Sequence, residues 1–359
     1  MPSPSVSAPN LSGTSGTSGT SGTSGTSGIN GIGGPVSLVA PGEGGVKDYA
    51  ATLNGLLQGH LVEATPDLPA AALAGADVIL HYCGYGYARR GTPLWLLRRL
   101  REARPRMRRL GIFFHELYAD GAPWRSAFWL SPMQRYIAAE LASLADFWLT
   151  NREGSAQWLN AHAPPRPHLV LPVFSNLGES DTQHRDRHAA VVVLGGSALR
   201  AQTYLEAGEA LFDWVDRAGF TLHDVGPPLG DTGLAARIAR RGAVVHGRVE
   251  AAEAARILST ATYGVLAYPV DYAAKSGVFA AYCAHALCPV LLSRHRGVHD
   301  GITPAHYLSS IQAMTPDLDA AWRIGRAAHT WYAPHALRHH VAGFRELLGA
   351  GPVQLVAAL

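Results

Sequence analysis

From Tyr263 to Leu292 the chain reads YGVLAYPVDYAAKSGVFAAYCAHALCPVLL, and this stretch limits the possible folds more than any other. Residues 264–268 are an apolar run of strand length and strand composition. Pro269 ends the run, and a polar turn passes through Asp271. Lys275-Ser276-Gly277 then leads into an uninterrupted helical stretch over 278–287. Pro289 stops that helix, and Val290-Leu291-Leu292 begins a second strand. Strand, glycine-containing turn, helix and strand form a βαβ unit. Its loop falls at the carboxyl end of the first strand, where open α/β sheets bind ligands. The spacing predicts free amides at Ser276, Gly277 and Val278, with the helix dipole behind them and Lys275 beside them. That setting suits a phosphate or diphosphate. The same residues also read as an ordinary helix start capped by Ser276, with Lys275 in solvent.

The βα alternation occurs in two series. The first opens with a strand over 36–40 and a loop containing Gly42, Gly44 and Gly45, before a helix from about Val46. Its glycine spacing differs from the dinucleotide fingerprint G-x-G-x-x-G. Short strands follow near 61–64 and over 76–82. The second of these runs into CGYGYARRGTP, where Tyr85, Tyr87, Arg89 and Arg90 stand among glycines. Aromatic and cationic side chains on such a loop suit a sugar or anionic acceptor, and equally an ordinary surface loop. A strand over 109–114 ends at His115-Glu116. A histidine there is positioned for a crevice, and it is also a common partly buried structural residue. A helix over 132–145, a strand over 146–150 and an apolar run over 169–173 complete this half.

Phe174 to His188 is polar and without hydrophobic period, and reads as a linker. The second series then opens with a strand over 189–194, a loop 195–197 with Arg200 just beyond it, and a helix over 204–218. The expected domains are a disordered Ser/Gly/Thr-rich tail (1–34), an N-terminal domain (35–173), a linker (174–188), a C-terminal domain (189–317) and C-terminal helices (318–359) that could cross back onto the first domain. Two series of this kind imply two doubly wound α/β domains facing across a cleft.

Composition removes several classes. The net charge of +3 over 359 residues gives no reason to expect nucleic acid. Three cysteines, Cys83, Cys283 and Cys288, do not make a disulfide framework and suit a reducing compartment. No run has the length of a transmembrane helix, and the N-terminus lacks a secretory pattern, so a cytoplasmic location is expected. The arginine-rich segment from Arg98 to Arg109 reads as the solvated end of an amphipathic helix. It could touch anionic headgroups at the inner face of the plasma membrane, or an anionic substrate.

Three segments together resemble the GT-B-fold glycosyltransferases, in particular the retaining, nucleotide-sugar-dependent group of bacterial polysaccharide biosynthesis. GEGGVKDYAATL resembles that family's N-terminal glycine loop. GIFFHELYADG resembles its His-bearing strand end in the acceptor domain. YPVDYAAKSGVFAAYCAHALCPVLL resembles its donor-site element. The family usually carries a Glu-x7-Glu pair across this last element, the later acid holding the donor ribose. Here Lys275 stands near the first position and Ala281 or Tyr282 near the second. The resemblance implies Rossmann-like domains in the GT-B arrangement and transfer of a sugar from a nucleoside diphosphate to a hydroxyl of a sugar or lipid-linked glycan acceptor. It implies no essential metal, and no cofactor beyond the nucleotide-sugar co-substrate. Arg200 and Lys275 would supply positive charge to the diphosphate, with amides from Ser276, Gly277 and Val278, while Gly44 and Gly45 would let the N-terminal loop approach it. His115 would contact the transferred sugar or acceptor, and Glu116 could orient a hydroxyl or act as a base. Tyr85, Tyr87, Arg89 and Arg90 are the acceptor-side candidates. A nucleotide-sugar epimerase, or a non-catalytic GT-B protein in an assembly cluster, are the alternatives.

Overall fold

The computed structural model describes residues 34–119, 124, 126–180, 187–295, 297–311 and 317–349. The tail expected over 1–34, apart from Gly34, lies outside these residues, as do 181–186 of the expected linker and 350–359. The chain divides into two compact units. One holds the chain up to Leu149 together with Gln157–His168 and Leu347–Ala350; the other holds Thr150–Ala156 and Leu169–Glu346.

The first series runs β1 (Val36–Val39), α1 (Gly45–Leu56), β2 (His60–Glu63), β3 (Asp77–Tyr82), the short α2 (Gly84–Tyr87), α3 (Leu94–Ala103), β4 (Arg109–Phe114), α4 (Ser126–Leu144), β5 (Phe147–Thr150), α5 (Glu153–His162) and β6 (His168–Val170). The sheet order is β2-β1-β3-β4-β5-β6. Strands β2, β1, β3 and β4 pair in parallel. All six residues of β3 are buried, as parallel strands covered on both faces require. Helix α4 is longer than Pro132 suggested. The proline lies inside it on the exposed side, where the carbonyl it leaves unpaired can meet water.

The second series runs β7 (His188–Leu194), α6 (Ser197–Ala218), β8 (Thr221–Val225), α7 (Thr232–Arg240), β9 (Val244–Gly247), α8 (Ala251–Thr260), β10 (Ala261–Ala267), a 3-10 turn over Val270–Lys275, α9 (Gly277–Ala284), β11 (Cys288–Leu292), α10 (Leu318–Tyr332) and α11 (Leu337–Leu347). Its sheet has the order β11-β10-β7-β8-β9, with every pairing parallel. The order reverses between β7 and β10, so their carboxyl ends flank the crevice of a doubly wound sheet.

Three sequence expectations need correction in this unit. Helix α6 starts at Ser197 rather than Tyr204, and non-helical Gly208 interrupts it. Pro289 lies within β11 instead of before it. The strand is at the sheet edge, and the Pro289 carbonyl faces outward to accept from the Leu308 amide (2.8 Å); the missing N–H falls on that same side and removes no bond to β10. The expected linker begins inside the second unit. Phe174 is fully buried against the His340 ring, 5.1 Å between centroids. The Val173 amide donates to Ala274 O (2.9 Å) and the Ser175 amide to Tyr332 Oη (2.9 Å). One aromatic anchor outweighs the polarity of the residues after it.

Candidate functional site

At the β7–β10 switch point of the second unit, the loop after each strand is held by a different device. Arg200, on the first turn of α6, is 1% exposed. Its Nε donates to Asp224 Oδ2 (3.2 Å), and both terminal nitrogens donate to Pro227 O (2.8 Å). Nη1 also reaches Gly195 O at 3.3 Å. The guanidinium therefore ties the loop after β7 to the loop after β8. Gly226 is part of this closure: its φ is +149°, and a Cβ there would lie 2.1 Å from Gly195 O and 2.3 Å from Arg200 Nη1. Arg200, expected as a diphosphate cation, has its charge committed inside the fold.

Lys275 has a different setting. It ends the 3-10 turn after β10, half-buried, with Nζ 5.0 Å from the Tyr272 ring centroid. Arg152 reaches the same ring, its Cζ 4.0 Å from the centroid. Arg152 also faces Asp300 at 3.8 Å, and its buried Nε has no hydrogen-bond partner among the described residues. Asp300 sits in a turn with φ +52°. It is fixed there by the Trp331 indole donating to its carbonyl (3.0 Å) and by its own Oδ1 accepting from the Glu153 amide (2.7 Å). Burial pushes the Asp300 carboxyl up, opposed by the Glu153 amide and Arg152. Asp271, on the same 3-10 turn, has a buried Oδ1 without a hydrogen-bond partner. Two cations thus converge on one aromatic ring at the carboxyl end of β10, with incompletely satisfied polar atoms beside them.

The helix start next to this cluster offers two open amides rather than three. The Ser276 amide donates to Ala273 O (3.0 Å), and its Oγ caps the helix by accepting from the Phe279 amide (3.2 Å). Gly277 and Val278 occupy the first two helical positions, which lack an acceptor one turn earlier. Gly277 is exposed, and a Cβ on it would meet nothing within 4 Å. Val278 approaches the loop after β7: its Cγ2 lies 3.3 Å from where a Cβ on Gly195 would stand. Ala281 and Tyr282, the positions near the family's second acid, are in the core. The Tyr282 hydroxyl accepts from the Leu194 amide (3.1 Å) and lies 3.1 Å from Val265 O. Its ring fills the space over Gly264, where a Cβ would come within 2.6 Å of it.

In the first unit, Gly44 caps α1 without a side chain, and a Cβ on either Gly44 or Gly45 would meet nothing within 4 Å. His115 follows β4 as expected but is buried, edge-on to Phe113 (4.2 Å) and Tyr49 (5.0 Å). Its Nε2 lies 3.2 Å from Nδ1 of His81, a partner that sequence reading did not single out. Burial holds His81 neutral, its pKa lowered to about 3, and its Nε2 has no partner among the described residues. A buried unpaired N–H is the costlier orphan, so the His81 proton belongs on Nδ1, donated to His115. That turns the His115 Nε2 inward, toward His81. Glu116, half-buried, accepts from Cys83 Sγ at 3.3 Å.

The acceptor candidates separate. Tyr87 is buried and its hydroxyl donates to His81 O (2.9 Å), which gives it a structural place. Tyr85, Arg89 and Arg90 are exposed, and Gln134 Nε2 holds their loop through Tyr85 Oη (3.3 Å) and Arg90 O (3.0 Å). Among the described residues, no group of three or more His, Cys, Asp or Glu side chains is placed to hold a metal ion. Arg152, Tyr272 and Asp300 were missed as site residues. Tyr272 directly follows the stretch read as a polar turn, and Arg152 follows a strand end, so both had a positional signal; Asp300 had none.

No family model matches the chain, and no curated protein matches its sequence. Solved structures match its fold. An Anabaena protein, HepE, in complex with UDP and glucose superposes with a TM-score of 0.55 at 14% identity, over 89% of this chain and 100% of that one. An α-glucosyltransferase in complex with UDP-glucose and abasic DNA gives 0.50 at 12% identity, over 88% and 97%. A putative UDP-N-acetylglucosamine 2-epimerase from Listeria monocytogenes gives 0.50 at 14% identity, over 88% and 82%. These likenesses establish the GT-B fold.

Proposed function

We propose that this protein is a glycosyltransferase that moves a sugar from a nucleoside diphosphate sugar to an acceptor hydroxyl, with retention of configuration and without an essential metal. The observation that carries the reading is the convergence of Lys275 and Arg152 on Tyr272 at the carboxyl end of β10, beside the open first turn of α9. The departing diphosphate gains negative charge as the glycosidic bond breaks. Fixed cations and amides aimed at it stabilise that charge, commonly the largest catalytic contribution. Arg152, Lys275, Gly277 and Val278 take this role, and Ser276 shapes the turn that presents them. Arg200 acts on the donor indirectly, by holding the loop after β7. In the first unit, Gly44 and Gly45 open the α1 start to the donor, His115 meets the transferred sugar or acceptor, and Glu116 orients the incoming hydroxyl. Tyr85, Arg89 and Arg90 contact the acceptor, a sugar or lipid-linked glycan in bacterial polysaccharide assembly on the cytoplasmic side. The UDP in the HepE complex and the UDP-glucose in the glucosyltransferase complex make a uridine donor the first to test. The abasic DNA of that second complex is not extended to this chain, whose net charge of +3 gives no electrostatic reason for it.

A non-catalytic role is the second reading, favoured by the burial of Ala281 and Tyr282 where the family has an acid. An epimerase would need a pair of acid/base carboxylates around the sugar. Thermal-shift titration with UDP, GDP, TDP and their sugars, followed by anomeric proton NMR of donor turnover, separates the three. A retaining transferase is stabilised by a nucleotide and releases the nucleoside diphosphate while its sugar passes to an acceptor hydroxyl, or to water in its absence, with the anomeric configuration kept. No stabilisation by any nucleotide at millimolar concentration supports the non-catalytic reading, and C2 inversion without nucleotide release supports the epimerase.

A further inference from the structure

Helix α4 of the first unit is apolar on two sides. One side is core: Ile137, Ala138 and Leu141 are fully buried. The other carries Phe128 (43% exposed), Trp129 (72%), Met133 (42%) and Tyr136 (47%). These residues recur at helical spacing and share one stripe. Such a face is unusual on a protein surface unless something covers it. Its rim is basic. Arg101 of α3 pairs with Glu140 of α4 and hydrogen-bonds Tyr136, which seats α3 alongside the stripe. Arg98 projects from α3 with its side chain 82% exposed. Exposed Leu94 continues the apolar surface from the start of α3. Arg135 is exposed on α4 itself. On α3 and α4, Arg98, Arg99, Arg101 and Arg135 outnumber Glu102 and Glu140.

We infer that this face of α3 and α4 seats the protein on an anionic phospholipid surface, with the aromatic stripe at headgroup depth and the arginines against lipid phosphates. Trp and Tyr rings have an apolar body and a polar tip, which suits the water–lipid boundary. Guanidinium groups around them add an electrostatic attraction that requires negative lipid. No helix among the described residues is long and apolar enough to cross a membrane, so the contact is peripheral. A second copy on the same stripe would bring two arginine rims together, which disfavours self-association there. The inference does not depend on the transferase reading, since it concerns the first unit alone and is tested without nucleotide.

The test is co-sedimentation of the full chain with vesicles of phosphatidylcholine alone and of phosphatidylcholine with phosphatidylglycerol. Binding to the anionic vesicles only, weakened by salt, is expected. Phe128→Ser with Trp129→Ser should lower the partition coefficient by roughly tenfold or more, with the thermal midpoint unchanged because both side chains are exposed. Arg98→Glu with Arg135→Glu should remove the preference for anionic lipid. No binding to anionic vesicles at low salt overturns the inference, as does equal binding by the serine variant. A wild-type dimer that the serine substitutions dissolve also overturns it, by assigning the stripe to a second copy.

Discussion

Arg200 and Lys275 look alike in the sequence, each a cation beside a glycine- and serine-bearing segment after a strand end, yet the fold uses them in opposite ways. Arg200 is enclosed with Asp224 and three carbonyl contacts. Removing one partner of a buried ion pair strands the other charge, so Arg200→Ala should cost about 3–5 kcal/mol of stability, measured by urea denaturation; a loss under about 1 kcal/mol would mean the pair is not enclosed as described. Lys275 reaches a ring at a site edge, and Lys275→Ala should leave stability within about 0.5 kcal/mol of wild type. What decides between them is Asp224, on a strand 24 residues away in sequence, which no local reading of the loop can supply. The same limit applies to Arg152, whose partner Asp300 lies far along the chain. Tyr87 was misread for a similar reason, since its acceptor carbonyl on β3 is six residues back and around a turn. His115 was legible from its strand end; the inward turn of its Nε2 toward His81 was not. His115→Ala should lower turnover more than donor affinity, and an unchanged rate in a steady-state assay would leave it a structural residue.

At the scale of the element, strands and helices were largely legible because their signals are local. Hydrophobic runs of strand length gave β3, β4, β7 and β10, and glycine turns gave the starts of α1 and α9. The failures have identifiable causes. Pro289 reads as the stop of a helix, yet it stands inside β11, because the cost of a proline in a strand vanishes on an outer edge. Tyr282 illustrates packing between elements. It rises from α9 into the space over Gly264 of β10, and its hydroxyl accepts from the amide of Leu194 at the end of β7. Gly264→Ala forces a methyl into that ring and should lower stability by about 1–3 kcal/mol. The measurement is the shift in denaturation midpoint, and no shift would mean the α9–β10 contact is looser than described. The same contact explains why no acid can stand at Tyr282 without dismantling the βαβ unit.

Over the whole molecule, the two βα series were readable and the boundary between them was not, because Phe174 and the strand-like segment before it are held by α10 and α11 from the far end of the chain. Each unit also carries a histidine held neutral by burial, His81 in the first and His340 in the second, both with pKa values lowered to about 3. In the unfolded chain each takes up its proton near 6.5. The unfolded state therefore binds more protons as pH falls below that value, and stability, complete above it, is lost on the way toward the folded pKa values. Each histidine should contribute a loss of about 1.4 kcal/mol per pH unit over that window. Urea midpoints between about pH 7 and about pH 5 should fall, and His81→Gln should flatten the slope; identical midpoints across the range would contradict it. The central claim is that Lys275 and Arg152, at the carboxyl end of β10, receive the diphosphate of a nucleotide sugar. Isothermal titration of UDP and UMP into wild type and Lys275→Ala tests it most directly. The account predicts that wild type prefers UDP over UMP and that Lys275→Ala loses UDP affinity by roughly tenfold, the worth of one charge-assisted contact, with little change for UMP. Equal UDP affinity in the two proteins, or no binding by either, would contradict it.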